Sequence, residues 1–214
     1  MPAKKLVLFI LLTIGVPSIG VSTIAFVGGH GEGNNRSSED RIDETCGEVA
    51  ATLPQFQRVD DNYMRGSQPL RGGIRTLARL GVRTLVDLRS SYDHSEAVRD
   101  SAEAAGLAYL WIPMSVWTPP ADLEANRFVA AVSDTSKGPY FVFCADGLNR
   151  TGEMTAIYRI ARCRWSAEKA LDEADKHGFN PYYYTLRNYV WDYARKFSPL
   201  AVPPNGRRIS SIEP

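Results

Sequence analysis

One cysteine and one arginine, five residues apart, carry the chemistry of this chain. Cys144 is followed by Ala145-Asp146-Gly147-Leu148-Asn149, then Arg150, Thr151 and Gly152. The apolar run Tyr140-Phe-Val-Phe143 leads into the cysteine, and a helical pattern leads out of the arginine. Backbone N–H groups from Ala145 to Arg150 can converge on an anion as a nest. The N-terminus of the following helix adds its positive dipole end. Gly147 allows the left-handed turn or close approach that such a ring needs. Arg150 can grip two phosphate oxygens with its planar fork, which lysine does less well. A thiolate, not a thiol, is the nucleophile, and the same positive field favours it at Cys144. Thr151 can donate a hydrogen bond to that sulfur and help it leave in a second step. A buried cysteine before an ordinary turn is the plain alternative. The full pattern Cys-x2-Gly-x2-Arg-Thr-Gly arises by chance on the order of once in ten thousand chains of this size.

Strands and helices alternate around this loop. Phe56 to Val59 reads as a short strand, followed by a turn at Asp60-Asp61-Asn62. Leu70, Ile74, Leu77 and Leu80 keep helical spacing, with a stop at Gly81. Arg83 to Leu88 reads as a buried strand, Ser95 to Ala105 as a helix, and Leu107 to Ile112 as another strand. Trp117-Thr118-Pro119-Pro120 is a stiff aromatic loop, and Ala125, Phe128, Val129 and Val132 mark the helix after it. Tyr140 to Phe143 is the strand that delivers Cys144, and a helix follows from about Arg150 to Arg162. Ser166 can cap the next helix, which stops at Gly178, and Asn180-Pro181 starts the last, to about Lys196. This alternation predicts an α/β fold, a mostly parallel central sheet flanked by helices. Ligands in such sheets bind at the carboxyl ends of strands, where Cys144 falls.

The 214 residues suffice for one domain plus tails. The spacing divides the chain into a leader (1–29), a flexible tether (30–45), a catalytic domain (46–198) and a disordered tail (199–214). Net charge is +1; without Lys4 and Lys5, 23 basic residues face 24 acidic ones, so −1. That balance excludes a broad nucleic-acid footprint. Leu6 to Gly29 is 24 residues without a charge, long enough to span a bilayer. A cleaved signal peptide is the rival reading, but no Ala-x-Ala site is present. The charge bias around the span predicts a body outside the cytoplasm, exported or anchored at the cell envelope. Cys46, Cys144 and Cys163 are too few for a disulfide framework, and whether Cys46 and Cys163 pair stays open. No spaced ligands suggest a metal at His30, His94 or His177. Arg89 lines the pocket or forms an ion pair, and Tyr182-Tyr-Tyr184 reads as packing.

The stretch Phe143 to Gly152 resembles the signature loop of cysteine-dependent protein tyrosine and dual-specificity phosphatases. The likeness extends from about Phe56 to Phe179. Arg58-Val-Asp-Asp-Asn-Tyr-Met-Arg-Gly-Ser-Gln-Pro69, Gly81-Val-Arg-Thr-Leu-Val-Asp-Leu-Arg89, Ile112-Pro113, Tyr158-Arg159 and Trp165-Ser-Ala-Glu168 look like bacterial dual-specificity-type members. The resemblance implies a phosphatase-like fold and a phosphocysteine intermediate. Cys144 attacks phosphorus, Arg150 holds the oxygens, and water then releases phosphate from a phosphorylated protein or small phosphomonoester. It implies no metal or organic cofactor. Two departures stand out. Phe143 occupies the place of the family's usual histidine, and Asp146 sets a carboxylate beside the phosphate, disfavouring highly anionic substrates. Asp122, 22 residues before Cys144, is placed similarly to an aspartate of atypical dual-specificity phosphatases, which implies a general acid. Asp is equally at home in the first turn of a helix. The same loop also resembles capping-enzyme RNA 5′-triphosphatases, and a phosphate-binding module with poor turnover is a third reading.

Overall fold

The computed structural model describes the backbone of residues 38–91 and 96–197 and the side chains from 45 onward. The leader, the first half of the tether (30–37), His94 and the proline-rich tail lie outside the described residues. Among those described, no helix is long and apolar enough to cross a membrane.

Five strands form one sheet: β1 (Gln57–Arg58), β2 (Tyr63–Ser67), β3 (Thr84–Asp87), β4 (Ala108–Trp111) and β5 (Tyr140–Cys144). Their order is β1-β2-β5-β3-β4, antiparallel only between β1 and β2. The mostly parallel sheet read from the alternation is present, and β5 sits at its centre. Register pairs Ser67 with Cys144 on one side and Asp87 with Phe143 on the other. The carboxyl ends of β2, β3 and β5 therefore meet at one edge, and Cys144 stands there.

Side chains of β5 alternate between two apolar layers, as a strand buried on both faces must. Phe141 and Phe143 point to a layer with Leu53, Met64, Leu77, Leu85 and Ala102. That layer is closed by α1 (Ser38–Thr52), α2 (Gly73–Arg79) and α3 (Glu96–Ala104). Val142 and Cys144 face the opposite layer, shared with α4 (Asp122–Ser133), α5 (Asn149–Cys163), α6 (Ala167–Lys176) and α7 (Tyr184–Phe197). The helix after the cysteine, α5, is buried along most of its length, from Arg150 to Tyr158 and again at Ile160. Such encasement holds its first turn still.

Three elements differ from the expectation. Helix α1 occupies 38–52, where the tether was expected to run to 45. It is held by tertiary contacts: Leu53 is buried after it, Thr52 Oγ1 donates to Thr76 Oγ1 at 3.3 Å, and Glu48 pairs with Arg79. Strand β2 was not expected, because Tyr-Met-Arg-Gly-Ser shows neither alternation nor an apolar run. The last helix starts at Tyr184, leaving Asn180 to Tyr183 as a turn.

Candidate active site

The loop from Cys144 to Arg150 hangs between the end of β5 and the start of α5. Three successive carbonyls of it are tied to the β2 side. Gln68 N donates to Ala145 O at 3.2 Å, Ser67 Oγ to Asp146 O at 2.8 Å, and Arg65 Nη2 to Gly147 O at 2.7 Å. A trans peptide points its N–H opposite to its C=O. The amides of Asp146, Gly147 and Leu148 are thereby turned away from β2, toward the concave side of the loop. Helix geometry leaves the first N–H groups of α5 without intrahelical partners as well, the first such bond being Gly152 N to Leu148 O at 2.9 Å. The curvature of the loop is set by these bonds to a neighbouring strand.

Gly147 is obligatory here for two reasons. Its φ is +71°, and a Cβ would stand 2.6 Å from Gly66 C and Ser67 N. Leu148 packs against the turn at Gly178, and Asn149 Oδ1 accepts from Asn180 N at 3.0 Å, so the turn between α6 and α7 braces the loop. Asp146 is exposed.

Cys144 and Arg150 are both buried, at 2% and 4% exposure. Arg150 lines a cavity of about 550 Å³ with Ser90, Ser91, Pro113, Met114 and Trp117. A second guanidinium, Arg65, lies buried under the loop. Burial pulls its proton affinity down, and Tyr63 and then Cys144 act in the opposite direction. Arg65, Ser67 and Gln68 lie within the Arg58–Pro69 motif, whose spacing assigns them no role. Polar residues entering a sheet with no apolar pattern were the available signal.

Thr151 is fully buried, and its Oγ1 makes no hydrogen bond within the protein. The bond to the Cys144 sulfur expected from sequence is not formed in this arrangement, leaving the hydroxyl available as a donor. Phe143, standing where a histidine was expected, stacks on Phe141 with centroids 6.0 Å apart and lies under the Arg89 guanidinium at 5.4 Å. Arg89 takes the ion-pair role of its two alternatives. It contacts Asp87 at 2.6 Å and donates to Gln68 Oε1 at 2.9 Å. Tyr109 OH donates to the same carboxylate at 2.5 Å. This buried cluster locks Gln68, and so one of the three carbonyl ties.

Asp122 begins α4. Its Oδ2 accepts from Lys196 Nζ at 2.6 Å and its Oδ1 from Tyr189 OH at 3.1 Å, both on α7. The hydrogen bond from Lys196, first, and then that from Tyr189 hold the carboxyl below its usual range. A general acid needs the opposite shift. As arranged, Asp122 is an acceptor that joins two helices.

A second carboxyl, which no motif in the sequence marks, lies close by in the chain. Glu153 sits one turn after Arg150, fully buried, and neither of its oxygens has a hydrogen-bond partner. Burial holds it well above the ordinary carboxylate range. Cys46, Cys144 and Cys163 are free thiols. Among the described residues, no group of three or more His, Cys, Asp or Glu could hold a metal ion.

Residues 50–185 match a family model described as a DSP-PTPase phosphatase fused to NAD+ kinase. NAD kinase 2, chloroplastic, of Arabidopsis thaliana is 29% identical over 101 residues, which are 45% of this chain and 10% of that protein. The probable NAD kinase 2, chloroplastic, of Oryza sativa subsp. japonica is 26% identical over 116 residues, 51% of this chain and 12% of that protein. The chain spans about a tenth of the length of these relatives. Among solved structures, a putative phosphatase (DUF442) from Shewanella putrefaciens CN-32 superposes with a TM-score of 0.59 at 17% identity, covering 71% of this chain and 96% of that one. P. aeruginosa TpbA in complex with pTyr gives 0.54 at 23% identity, covering 67% and 85%. At these identities the structural likeness is one of fold.

Proposed function

Because this chain belongs to the family of dual-specificity-type phosphatase domains found fused to NAD+ kinase, we propose that its cysteine-dependent phosphatase activity is directed at phosphorylated proteins, with aryl phosphomonoesters as the best substrates. In the first step Cys144 Sγ forms a bond to phosphorus as the ester P–O bond breaks. The oxygens of the transferring group face the amides of the loop and the Arg150 guanidinium, donors set before the charge develops. The leaving oxygen departs with the bonding electron pair and takes up a proton. In the second step water attacks phosphorus, the S–P bond breaks, and Sγ returns as thiolate with phosphate and a proton released. The Thr151 hydroxyl, buried and unbonded, can donate to the departing sulfur.

The preference for aryl esters follows from the proton donor. The loop 113–121, which runs from β4 toward α4, carries no acidic residue, and Asp122 at its end is paired with Lys196. A tyrosine oxygen, with a solution pKa of about 10, leaves with less help than an alkyl alkoxide.

The observation that carries this reading is the set of three outward-tied carbonyls between buried Cys144 and Arg150. Cys144→Ser is expected to reduce phosphomonoester turnover to the buffer rate while oxyanion binding stays within about threefold of wild type, since the nest is built from backbone. Full activity in that variant would sink the mechanism. A wild-type rate equal to buffer with retained oxyanion binding would favour a binding module. Release of the terminal phosphate from triphosphate-ended RNA, without monoester activity, would favour the triphosphatase reading.

A further inference from the structure

Trp117 is the largest apolar side chain at the mouth of the phosphate loop, and it stands 73% exposed. Its backbone is held on both sides. Trp117 N and Thr118 N donate to Ser115 Oγ at 3.0 and 3.3 Å, and Thr185 Oγ1 donates to Trp117 O at 3.3 Å. Its ring leans on Tyr183, with centroids 5.7 Å apart. An indole presented to solvent on a fixed backbone has little conformational freedom to lose when a ring stacks on it.

Two cavities share this one side chain. The first, of about 550 Å³, has Arg150 in its wall. The second, of about 340 Å³, runs along the turn between α6 and α7 and is lined by Asn180, Tyr182, Tyr183, Tyr184 and Thr185. Tyr182 is 73% exposed and Tyr184 43%. The packing role expected for this tyrosine run holds for Tyr183 alone, which lies against the core. The turn is registered to the loop by Asn149 Oδ1, which accepts from Asn180 N. Phosphate position and the second cavity are thus fixed relative to each other.

Given the phosphatase reading above, we propose that Trp117 and the Tyr182–Tyr184 turn form a leaving-group subsite for phosphotyrosyl peptides. Trp117 stacks on the ring of the phosphotyrosyl side chain, and the second cavity takes a neighbouring residue of the same peptide. The occupant follows from continuity. A group esterified to a phosphate held at Arg150 lies in a cavity walled by Trp117, and the same side chain borders the second cavity with Tyr182. The rings of Tyr182 and Tyr184 there suit an apolar residue beside the phosphotyrosine.

The test uses the full chain and four substrates: free phosphotyrosine, a phosphotyrosyl peptide, the phosphoseryl peptide of the same sequence, and a mononucleotide. Trp117→Ala is expected to raise KM for both phosphotyrosyl substrates about fivefold, from the loss of one aromatic stack, with kcat little changed. Trp117→Phe restores most of it, and KM for the phosphoseryl peptide does not move. Tyr182→Ser is expected to raise KM for the phosphotyrosyl peptide but not for free phosphotyrosine. Because both side chains are mostly exposed, thermal melting should match wild type. A Trp117→Ala effect equal on tyrosyl and seryl peptides, or none at all, overturns the subsite while leaving the phosphatase intact. A mononucleotide preferred over the phosphotyrosyl peptide overturns the peptide assignment. If wild type hydrolyses no phosphomonoester while Cys144→Ser serves as the blank, the phosphatase reading and the subsite fall together.

Discussion

Each candidate site residue is governed by what its neighbours leave it free to do. Thr151 is buried with an unbonded hydroxyl, so its donor is unspent. Asp122 is the reverse case, with both oxygens engaged by α7 and its proton affinity lowered. An acid whose proton is given up in the transition state contributes about a hundredfold or more to rate. Asp122→Asn is instead expected to lower kcat toward aryl phosphates by less than about threefold, because the ionised carboxylate here joins α4 to α7. Steady-state kinetics with phenols of graded pKa check this. A loss of about a hundredfold, growing with leaving-group pKa, would restore Asp122 as the acid. Phe143 teaches a related point. Its place before the nucleophile in sequence puts it on the opposite face of β5, under Arg89 and away from the sulfur.

At the scale of elements, β2 shapes the loop. Its residues look unsuited to a buried strand, since Arg65 and Ser67 are polar and Gly66 has no side chain. Each has a reason. Arg65 and Ser67 hold the carbonyls of Gly147 and Asp146, and Gly66 makes room for Gly147 and for the Phe141 ring, which a Cβ would approach to 2.8 Å. Arg65→Met keeps the apolar stem and removes the tie. It also leaves a buried carbonyl unsatisfied, a cost of roughly 1–3 kcal/mol. The expected result is a fall in kcat/KM of about tenfold with the melting temperature nearly unchanged, because a costly buried charge is removed with the bond. Kinetics and calorimetry on the same sample check both halves. An unaltered kcat/KM would show that Ser67 and Gln68 hold the loop unaided.

For the molecule as a whole, Glu153 couples stability to pH. Its helix is packed on by α4, α6 and α7, and no hydrogen bond compensates the burial of its carboxyl. In the fold its proton affinity is raised well above the ordinary value of 4.5. Between that value and the raised one, the folded state keeps a proton that the unfolded chain has released. Stability is therefore intact below the ordinary value and declines as pH rises through the window. Glu153→Gln preserves shape and stays neutral throughout. Its stability relative to wild type is expected to grow by up to about 1.4 kcal/mol per pH unit across the window. Urea denaturation of both proteins at stepped pH measures it, and parallel pH profiles would refute the assignment. The charged and titratable neighbours facing Glu153 across α7 are Tyr189 and, beyond it, Asp122.

The chemistry of this protein was legible in its sequence because it is local. A cysteine, a glycine, an arginine and the strand and helix that carry them are contiguous from Tyr140 to Gly152, and their spacing alone points to an anion nest. The parallel sheet was legible too, since alternating apolar runs and helical periods repeat along the chain. What tertiary structure decided is everything that acts across sequence distance. Arg65 reaches Gly147, Lys196 reaches Asp122, and Thr185 reaches Trp117, over separations of 82, 74 and 68 residues. No period or motif encodes such pairs. They arise where packing of the sheet and its helices removes water, and a buried polar group must then find its partner in whatever element lies beside it.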